Sequence, residues 1–204
     1  MLKKIFLIGF VLLFFNIAVQ AETVQLKVGH LRVRDDVTHL SEGVTITRGE
    51  IILKALQGIY NEQQKEFELE EEIEMIFAEG RITSRQLQVM LEENIYIFRD
   101  NVEFFRESDE NEFLLKTPFL ELNEEQDSFL AREGVQIEYN NRILQADNAD
   151  YSGEIEELLL TGNVLIEDED GDWIKGNSAI FFLGEEGDNF EVDGEVELEI
   201  DIGA

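Results

Sequence analysis

Residues 143–200 read ILQADNADYSGEIEELLLTGNVLIEDEDGDWIKGNSAIFFLGEEGDNFEVDGEVELEI. Apolar and polar residues alternate in this stretch with a period of two, which is typical of β-strands that bury one face. Residues that favour turns separate the apolar runs, and Asp170-Gly171 accommodates the positive φ angles of a tight hairpin turn. The stretch therefore predicts a succession of short antiparallel strands.

The same arrangement recurs toward the N-terminus as an internal repeat. Apolar pairs with one residue between them begin at intervals of 29, 29, 33, 29 and 32 residues. The pairs are Val44 and Ile46, Ile73 and Met75, Val102 and Phe104, Val135 and Ile137, Val164 and Ile166, and Val196 and Leu198. Most of them follow a turn-like dipeptide: Glu42-Gly43, Asp100-Asn101, Glu133-Gly134, Gly162-Asn163 or Asp193-Gly194. Two further apolar stretches accompany the pairs, so we predict repeated three-stranded units.

These repeats predict one all-β domain over residues 22–204. One proline and 15 glycines in 204 residues suit many short strands joined by tight turns. The segment Ser84 to Asn94 also fits a short helix, but the repeat favours a strand there. Stacked units bury a continuous interior that one unit cannot bury alone. We expect an elongated open β-jelly roll of repeated short antiparallel strands, with a β-solenoid as the alternative and unpaired edges at both ends.

The N-terminus has the layout of a secretory signal peptide. Lys3 and Lys4 precede an apolar run from Ile5 to Phe15, and Val19 and Ala21 supply small residues for cleavage. We expect residues 1–21 to be removed and the mature chain to begin at Glu22. A retained membrane anchor is the alternative, although the run is shorter than the ~20 residues that a spanning helix needs.

The chain is strongly acidic, with a net charge of −30, or −32 once the two lysines of the leader are removed. Such a surface repels nucleic acid and anionic membranes. Because the acids are spread between apolar positions along the whole mature chain, we interpret them as a solvated surface. Weak binding of divalent cations is the other interpretation.

No motif indicates catalysis, a metal site or a cofactor. The chain has no cysteine, no phosphate-binding glycine loop and no hydrolase or zinc-protease signature. Asp168, Asp170 and Asp172 resemble the start of a calcium loop, but the glutamate that would complete such a loop is missing, which favours an acidic hairpin turn. His30 and His39 lack the partners that would make a ligand set.

Residues 143–200 also carry a family resemblance, which rests on small and apolar residues in a fixed succession. The succession comprises Leu144, Gln145, Ala146, Ala149 and Tyr151, then Leu160, Gly162, Asn163, Val164 and Ile166, then Asp170, Gly171, Ile174, Gly176, Ala179 and Phe181, and finally Val192, Gly194 and Val196. It resembles the OstA/LptA family of organic-solvent-tolerance and lipopolysaccharide-transport proteins. Residues 42–133 share the spacing and match the pattern loosely.

The resemblance implies a twisted, open β-jelly roll with a slit-like apolar interior that shields the acyl chains of lipopolysaccharide in the periplasm. It further implies head-to-tail stacking between an inner-membrane transporter complex and an outer-membrane translocon, and no enzymatic activity. The phosphates of such a lipid conflict with a charge of −32. Shielding of acyl chains is therefore expected, rather than capture of the headgroup.

The candidate residues of the lipid groove are apolar residues of the repeat. They are Val102, Phe104, Val135, Ile137, Val164, Ile166, Phe181, Val196 and Leu198. Trp173 either lies at the mouth of the slit or, as we prefer, packs over a neighbouring strand.

Three other functions remain open at this point. The first is a membrane-anchored LptC-type subunit of the same transport system, which would keep its N-terminal helix. The second is a structural or adhesive surface protein built from β-repeats. The third is a polysaccharide-degrading enzyme, because repetitive β-folds host such activities.

Overall fold

The computed structural model describes residues 23–107, 112–183 and 189–200, so the predicted leader lies outside the described residues. Every regular element in these ranges is a β-strand. The strands are β1 (Val24–Arg34), β2 (Val37–Arg48), β3 (Ile51–Ala55), β4 (Gln57–Asn61), β5 (Glu66–Phe77), β6 (Gly80–Met90), β7 (Ile95–Glu107), β8 (Glu112–Asn123), β9 (Ser128–Arg132), β10 (Val135–Tyr139), β11 (Arg142–Ala146), β12 (Asn148–Ser152), β13 (Glu157–Asp168), β14 (Trp173–Phe182), β15 (Asn189–Asp193) and β16 (Glu197–Glu199). The predicted all-β class is confirmed, and the segment that also fitted a helix is a strand. The described part of the chain contains no helix that could span a membrane.

The strands form one antiparallel meander in which most strands bend near the middle. β2 pairs through Val44–Arg48 with β3 and through Val37–Leu40 with β4. β5 pairs with the same two strands, so β3 and β4 are the halves of one bent strand. β9 with β10 and β11 with β12 repeat this relationship. The aligned bends divide the sheet into two parts.

We name these two parts leaf A and leaf B after the hairpin turns at their outer margins. Leaf A carries the turns at residues 35–36, 62–65, 91–94, 124–127 and 153–156, and leaf B those at residues 49–50, 78–79, 140–141 and 169–172. The chain changes leaf at each bend. One hairpin of leaf B followed by one hairpin of leaf A therefore makes one sequence repeat.

The repeat unit is thus a pair of bent strands, whereas the sequence indicated three strands. The difference arises because the stretch before each apolar pair and the pair itself belong to one strand. Glu66–Phe77, for example, continues through Ile73 and Met75 without a chain reversal. A bend inside a strand interrupts the polar and apolar alternation, just as the end of a strand would.

Consecutive residues with positive φ produce the bends in the strands that enter leaf B. The pairs and their φ angles are Glu42 (64°) with Gly43 (87°), Glu71 (62°) with Glu72 (52°), Asp100 (62°) with Asn101 (55°), Glu133 (71°) with Gly134 (97°), and Gly162 (76°) with Asn163 (48°). Gly, Asn and Asp enter this region most readily. The dipeptides that resemble turns are therefore corners within strands, and only Glu71-Glu72 forms a corner without such a residue.

The two leaves fold toward each other along this row of corners, and they are offset. Arg48, beside the leaf-B turn 49–50, contacts Asn94 in the second leaf-A turn after it. Arg142, beside the leaf-B turn 140–141, lies over the ring of Phe190, which follows the second leaf-A turn after it. Each leaf-B hairpin therefore faces a later hairpin of leaf A. This offset leaves part of the inner face uncovered at each end of the roll.

The core fills the space between the leaves with inward side chains from alternate strand positions. The largest fully buried side chains are Tyr96, Phe98, Phe181, Leu40, Ile46, Leu69, Ile73, Ile82, Leu87, Leu115, Leu120 and Ile137. The end strands differ: Leu31 and Val33 of β1 are 47% and 65% exposed, and Val196 and Leu198 near the C-terminus are 46% and 58% exposed. Their inner faces are apolar but lack an opposing leaf.

Candidate functional site

An apolar slit of about 660 Å³ opens between the margins of the two leaves. Its apolar lining comes from both leaves and consists of Ile51, Met75, Phe77, Ala78, Phe104, Phe113, Leu122, Phe129, Tyr139, Tyr151, Leu158 and Leu183. The volume lies in the range of sites that bind small molecules or parts of lipids, which are concave and mostly apolar. We call this cavity the slit.

Aromatic rings form the floor of the slit and join the two leaves. Phe104 and Phe113 belong to leaf B, and their ring centroids are 5.6 Å apart. Phe129 of leaf A lies 6.0 Å from Phe104 and 6.1 Å from Phe113, and it stacks on Tyr151 at 5.3 Å. These separations are typical of edge-to-face and offset-stacked pairs. The rings therefore leave the remaining volume of the slit bounded by rigid apolar surfaces.

Strand alternation explains why these rings point inward. Phe113 and Leu115 occupy alternate positions of β8, and so do Phe129 and Ala131 of β9, so each ring shares the face of a fully buried residue. The rings lie near the hairpin turns at the leaf margins, where the opposite leaf is farther away than at the corners. Large side chains here cover the opening without closing it.

A charged rim surrounds the slit at the turns. It consists of Arg48, Glu50, Glu79, Arg106, Glu124, Asp127 and Glu156. Five carboxylates against two guanidiniums give the rim a net negative charge. Arg106 already pairs with Glu79 in leaf B, with Nη2 at 2.6 Å and Nε at 3.0 Å from Oε2. The rim is therefore electrostatically acidic around an apolar interior.

A polar clasp ties the leaves together at the N-terminal end of the slit. Arg48 of leaf B donates to Asn94 Oδ1 at 2.6 Å, to the Tyr96 hydroxyl at 3.3 Å and to Glu124 Oε2 at 3.4 Å. The hydroxyl of Tyr96 in turn donates to Glu124 Oε2 at 3.2 Å. Burial raises the pKa of Tyr96 to about 12, and the charge of Glu124 raises it as well, whereas Arg48 opposes the shift.

The clasp predicts a loss of stability at high pH that depends on Tyr96. The phenol ionises near pH 10 in the unfolded chain but only near pH 12 in the folded one, so its contribution is complete below pH 10 and disappears toward pH 12. We expect the wild type to lose roughly 2–3 kcal/mol more than Tyr96→Phe between these pH values. Urea unfolding of both proteins at pH 9 and pH 12 measures the difference. Equal losses would contradict the assignment.

The structure distributes the groove candidates over three environments. Phe104 lines the slit. Val102, Val135, Ile137, Val164, Ile166 and Phe181 are buried in the core beside the corners or deeper between the leaves. Val196 and Leu198 are exposed at the C-terminal end, where no leaf covers them. Of the nine candidates, only Phe104 is part of the lining.

Trp173 lies outside the slit, on the outer face of β14. Its Nε1 donates to Glu199 Oε2 of the neighbouring β16 at 3.2 Å, and the ammonium of Lys175 lies 4.3 Å from the ring centroid. This position corresponds to the preferred prediction, in which the ring packs over an adjacent strand.

The other polar candidates are part of the scaffold. Asp168 Oδ1 accepts from the backbone N–H groups of Asp170 and Asp172, each at 3.0 Å, which stabilises the hairpin turn around Gly171. His30 and His39 are exposed on β1 and β2. In residues 23–107, 112–183 and 189–200, no group of three or more His, Asp or Glu side chains could hold a metal ion.

Most of the lining was missed because the sequence argument followed the apolar pairs that recur next to the corners. Phe77, Phe113, Phe129, Tyr139 and Tyr151 instead lie near the hairpin turns, at the other end of each half-strand. The available signal was the recurrence of an aromatic residue next to polar turn residues. Such a residue is easily interpreted as one whose exposure ends the strand.

Comparisons with known proteins give a single structural likeness for consideration. One solved structure is described as LptH, the LptA homologous periplasmic component of the conserved lipopolysaccharide transport device from Pseudomonas aeruginosa. It matches 88% of this chain and 96% of its own length, with a TM-score of 0.30 and 6% sequence identity. No family model and no curated protein matches the chain. A likeness at that TM-score carries no argument about function, which rests here on the slit.

Proposed function

We propose that this protein is a periplasmic carrier that binds lipopolysaccharide or a similar glycolipid and shields its acyl chains in the slit. In this role it bridges the inner and outer membranes during outer-membrane assembly and performs no chemistry on the lipid. The observation that carries the proposal is an aromatic-lined slit, open along the leaf margins, in an elongated roll. The resemblance of residues 143–200 to the OstA/LptA family supports the same function.

The energetics favour shielding of acyl chains by such a slit. Exposure of a lipid chain to water costs about 0.8 kcal/mol for each methylene group. Phe104, Phe113 and Phe129 offer apolar surface along the opening, and no charged side chain belongs to the apolar floor that their rings form. A ligand held by apolar contact alone can shift along the slit, because no single directional bond has to break.

The ends of the roll suit head-to-tail stacking. β1 pairs only with β2, and β15 and β16 pair only with β14, so a row of backbone hydrogen-bonding groups is unpaired at each end. Exposed apolar residues accompany both edges, including Val33 and Leu198. Strand addition by a second copy, or by the inner-membrane transporter complex and the outer-membrane translocon, would satisfy the edges and cover these residues.

Site-specific photo-crosslinking tests the proposed cargo site. A photoreactive amino acid at Leu122, which lines the slit, should crosslink to glycolipid in living cells or after mixing with purified lipid. The matched control is Glu121, the preceding residue, which points to the opposite face of β8. Crosslinking at Glu121 but not at Leu122, or at neither position, would contradict the proposal.

Stacking is tested by charging the two ends separately. Val33→Glu and Leu198→Lys should each raise the dissociation constant for self-association at least tenfold, since burial of such a side chain is worth about 1.5–3 kcal/mol. Analytical ultracentrifugation measures this constant. Ile155→Glu is the control, because Ile155 is similarly exposed, at 60%, but lies in a turn away from both ends.

A mixture of the two end variants distinguishes head-to-tail stacking from other contacts. Each variant retains one unaltered end, so the intact C-terminal end of Val33→Glu can still join the intact N-terminal end of Leu198→Lys. The mixture should therefore form dimers that do not extend further. A mixture that stays monomeric, or a control that dissociates like the end variants, would contradict the proposed stacking.

A further inference from the structure

The rim of the slit places more negative than positive charge where the head of a bound amphiphile would lie. An acyl chain in the slit leaves its polar end at the margin of the leaves, because only the margin is open to water. Five carboxylates and two guanidiniums line this margin. A head at this position is therefore within a Debye length of all seven groups.

Both arginines of the rim are already engaged by protein carboxylates. Arg106 binds Glu79, and Arg48 binds Glu124 together with Asn94. An anionic head would have to compete with these partners for each guanidinium. The positive charges of the rim are thus used to hold the turns, and the excess carboxylates determine its potential.

Carboxylates converge from two neighbouring turns on one part of the slit. Tyr151, whose ring is in the lining, is affected electrostatically by Asp127, Arg106 and Glu156 together with its burial, and its pKa is raised. Asp127 belongs to the leaf-A turn 124–127 and Glu156 to the turn 153–156. Both side chains are exposed at the opening, and the ring of Phe129 lies directly inside it.

We infer that the slit selects an acyl-chain amphiphile whose head carries no net negative charge at the rim, with a cationic head preferred to a zwitterionic one. This inference rests on the proposed function, because it assumes that the chain occupies the slit. For a glycolipid cargo, it means a headgroup whose phosphates are absent or are neutralised by amino substituents. The acidic rim then acts as a filter and the aromatic floor supplies the affinity.

A series of amphiphiles with one chain length and different heads tests the filter. Dodecyltrimethylammonium, dodecylphosphocholine and dodecyl phosphate, each below its micelle concentration, would displace the neutral dye N-phenyl-1-naphthylamine from the full mature chain in EDTA. We expect the dissociation constant to rise in that order, with at least a tenfold difference between the first and last at 20 mM salt. The difference should fall below about threefold at 500 mM salt because of screening.

Two double variants separate the rim from the overall charge of the protein. Asp127→Asn with Glu156→Gln removes two rim charges, and it should reduce the ratio between the anionic and cationic constants at least threefold. Glu68→Gln with Glu103→Gln removes two exposed charges from the outer faces of β5 and β7, away from the slit. This control pair should leave the ratio unchanged.

The outcomes distinguish the inference from the function on which it rests. Equal affinity for all three amphiphiles, or tighter binding of the anionic one, overturns the charge filter and leaves binding in the slit intact. An equal change of the ratio in both double variants also overturns the filter, because the discrimination then belongs to the whole protein. Failure of every amphiphile to displace the dye overturns the proposed function and the filter together.

Discussion

Replacement of Phe98 by alanine should lower the free energy of unfolding by about 3–5 kcal/mol. Phe98 is fully buried on β7, and its cross-strand neighbours Leu87 and Leu120 are fully buried as well. Loss of the ring therefore removes apolar burial and leaves a cavity that three rigid strands cannot close. Urea unfolding measures the change. It is a large part of the stability of a typical domain, which totals about 5–15 kcal/mol.

Phe105→Ala on the same strand is the matched control. Phe105 points to the outer face, where it is half-buried with the guanidinium of Arg81 5.8 Å from its ring centroid. Its replacement should cost less than about 1.5 kcal/mol, because water fills the vacated space. If Phe98→Ala does not fold, Phe98→Leu keeps most of the volume and should still destabilise the protein by about 1 kcal/mol. Equal effects at the two positions would mean that the leaves do not enclose Phe98.

Truncation of Phe113 should weaken binding of an acyl chain about tenfold to a hundredfold. The ring lines the slit and contacts Phe104, Phe129 and Tyr139 through aromatic pairs at 5.6–6.5 Å. Phe113→Ala removes apolar surface that a bound chain would cover, which is worth about 1.5–3 kcal/mol. Displacement of N-phenyl-1-naphthylamine by an uncharged dodecyl amphiphile measures the affinity. The charge of the rim does not affect this comparison.

Two further variants determine whether that loss belongs to the slit. Phe119→Ala, on the outer face of the same strand, removes an equally half-buried ring whose contact is the guanidinium of Arg99 at 4.8 Å. It should leave the affinity unchanged. Phe113→Leu retains an apolar side chain and should restore most of the binding. A loss of affinity in Phe119→Ala as large as that in Phe113→Ala would place the chain elsewhere on the protein.

Elements that depend on local sequence were predicted well. Alternation identified the strands around Val164 and Ile166, and Asp170-Gly171 marked a true hairpin turn. The repeat period was correct because one hairpin of each leaf contributes a nearly constant number of residues. The corners were harder to interpret, since a dipeptide such as Glu133-Gly134 has the same preference for positive φ in a corner as in a turn between strands.

The slit was predicted only in kind. The sequence indicated an apolar interior with repeated aromatic residues, but it selected Val135 and Ile137 beside a corner rather than Phe129 and Tyr139 near the turns. All four side chains point inward, so alternation cannot separate them. The distance between the leaves separates them, because it is smallest at the corners and largest at the margins.

The sequence by itself determined the all-β class, the repeat period and the face of the sheet that each side chain occupies. Those properties follow from alternation and from backbone preferences over a few neighbouring residues. Only the tertiary structure decided which inward residues are covered, because coverage depends on the offset between leaves that are distant in sequence. Ile166 and Leu198 occupy equivalent places in the repeat, yet Ile166 is 4% exposed and Leu198 is 58% exposed. The difference arises because Leu198 lies at the end of the roll, where the offset leaves no opposing leaf.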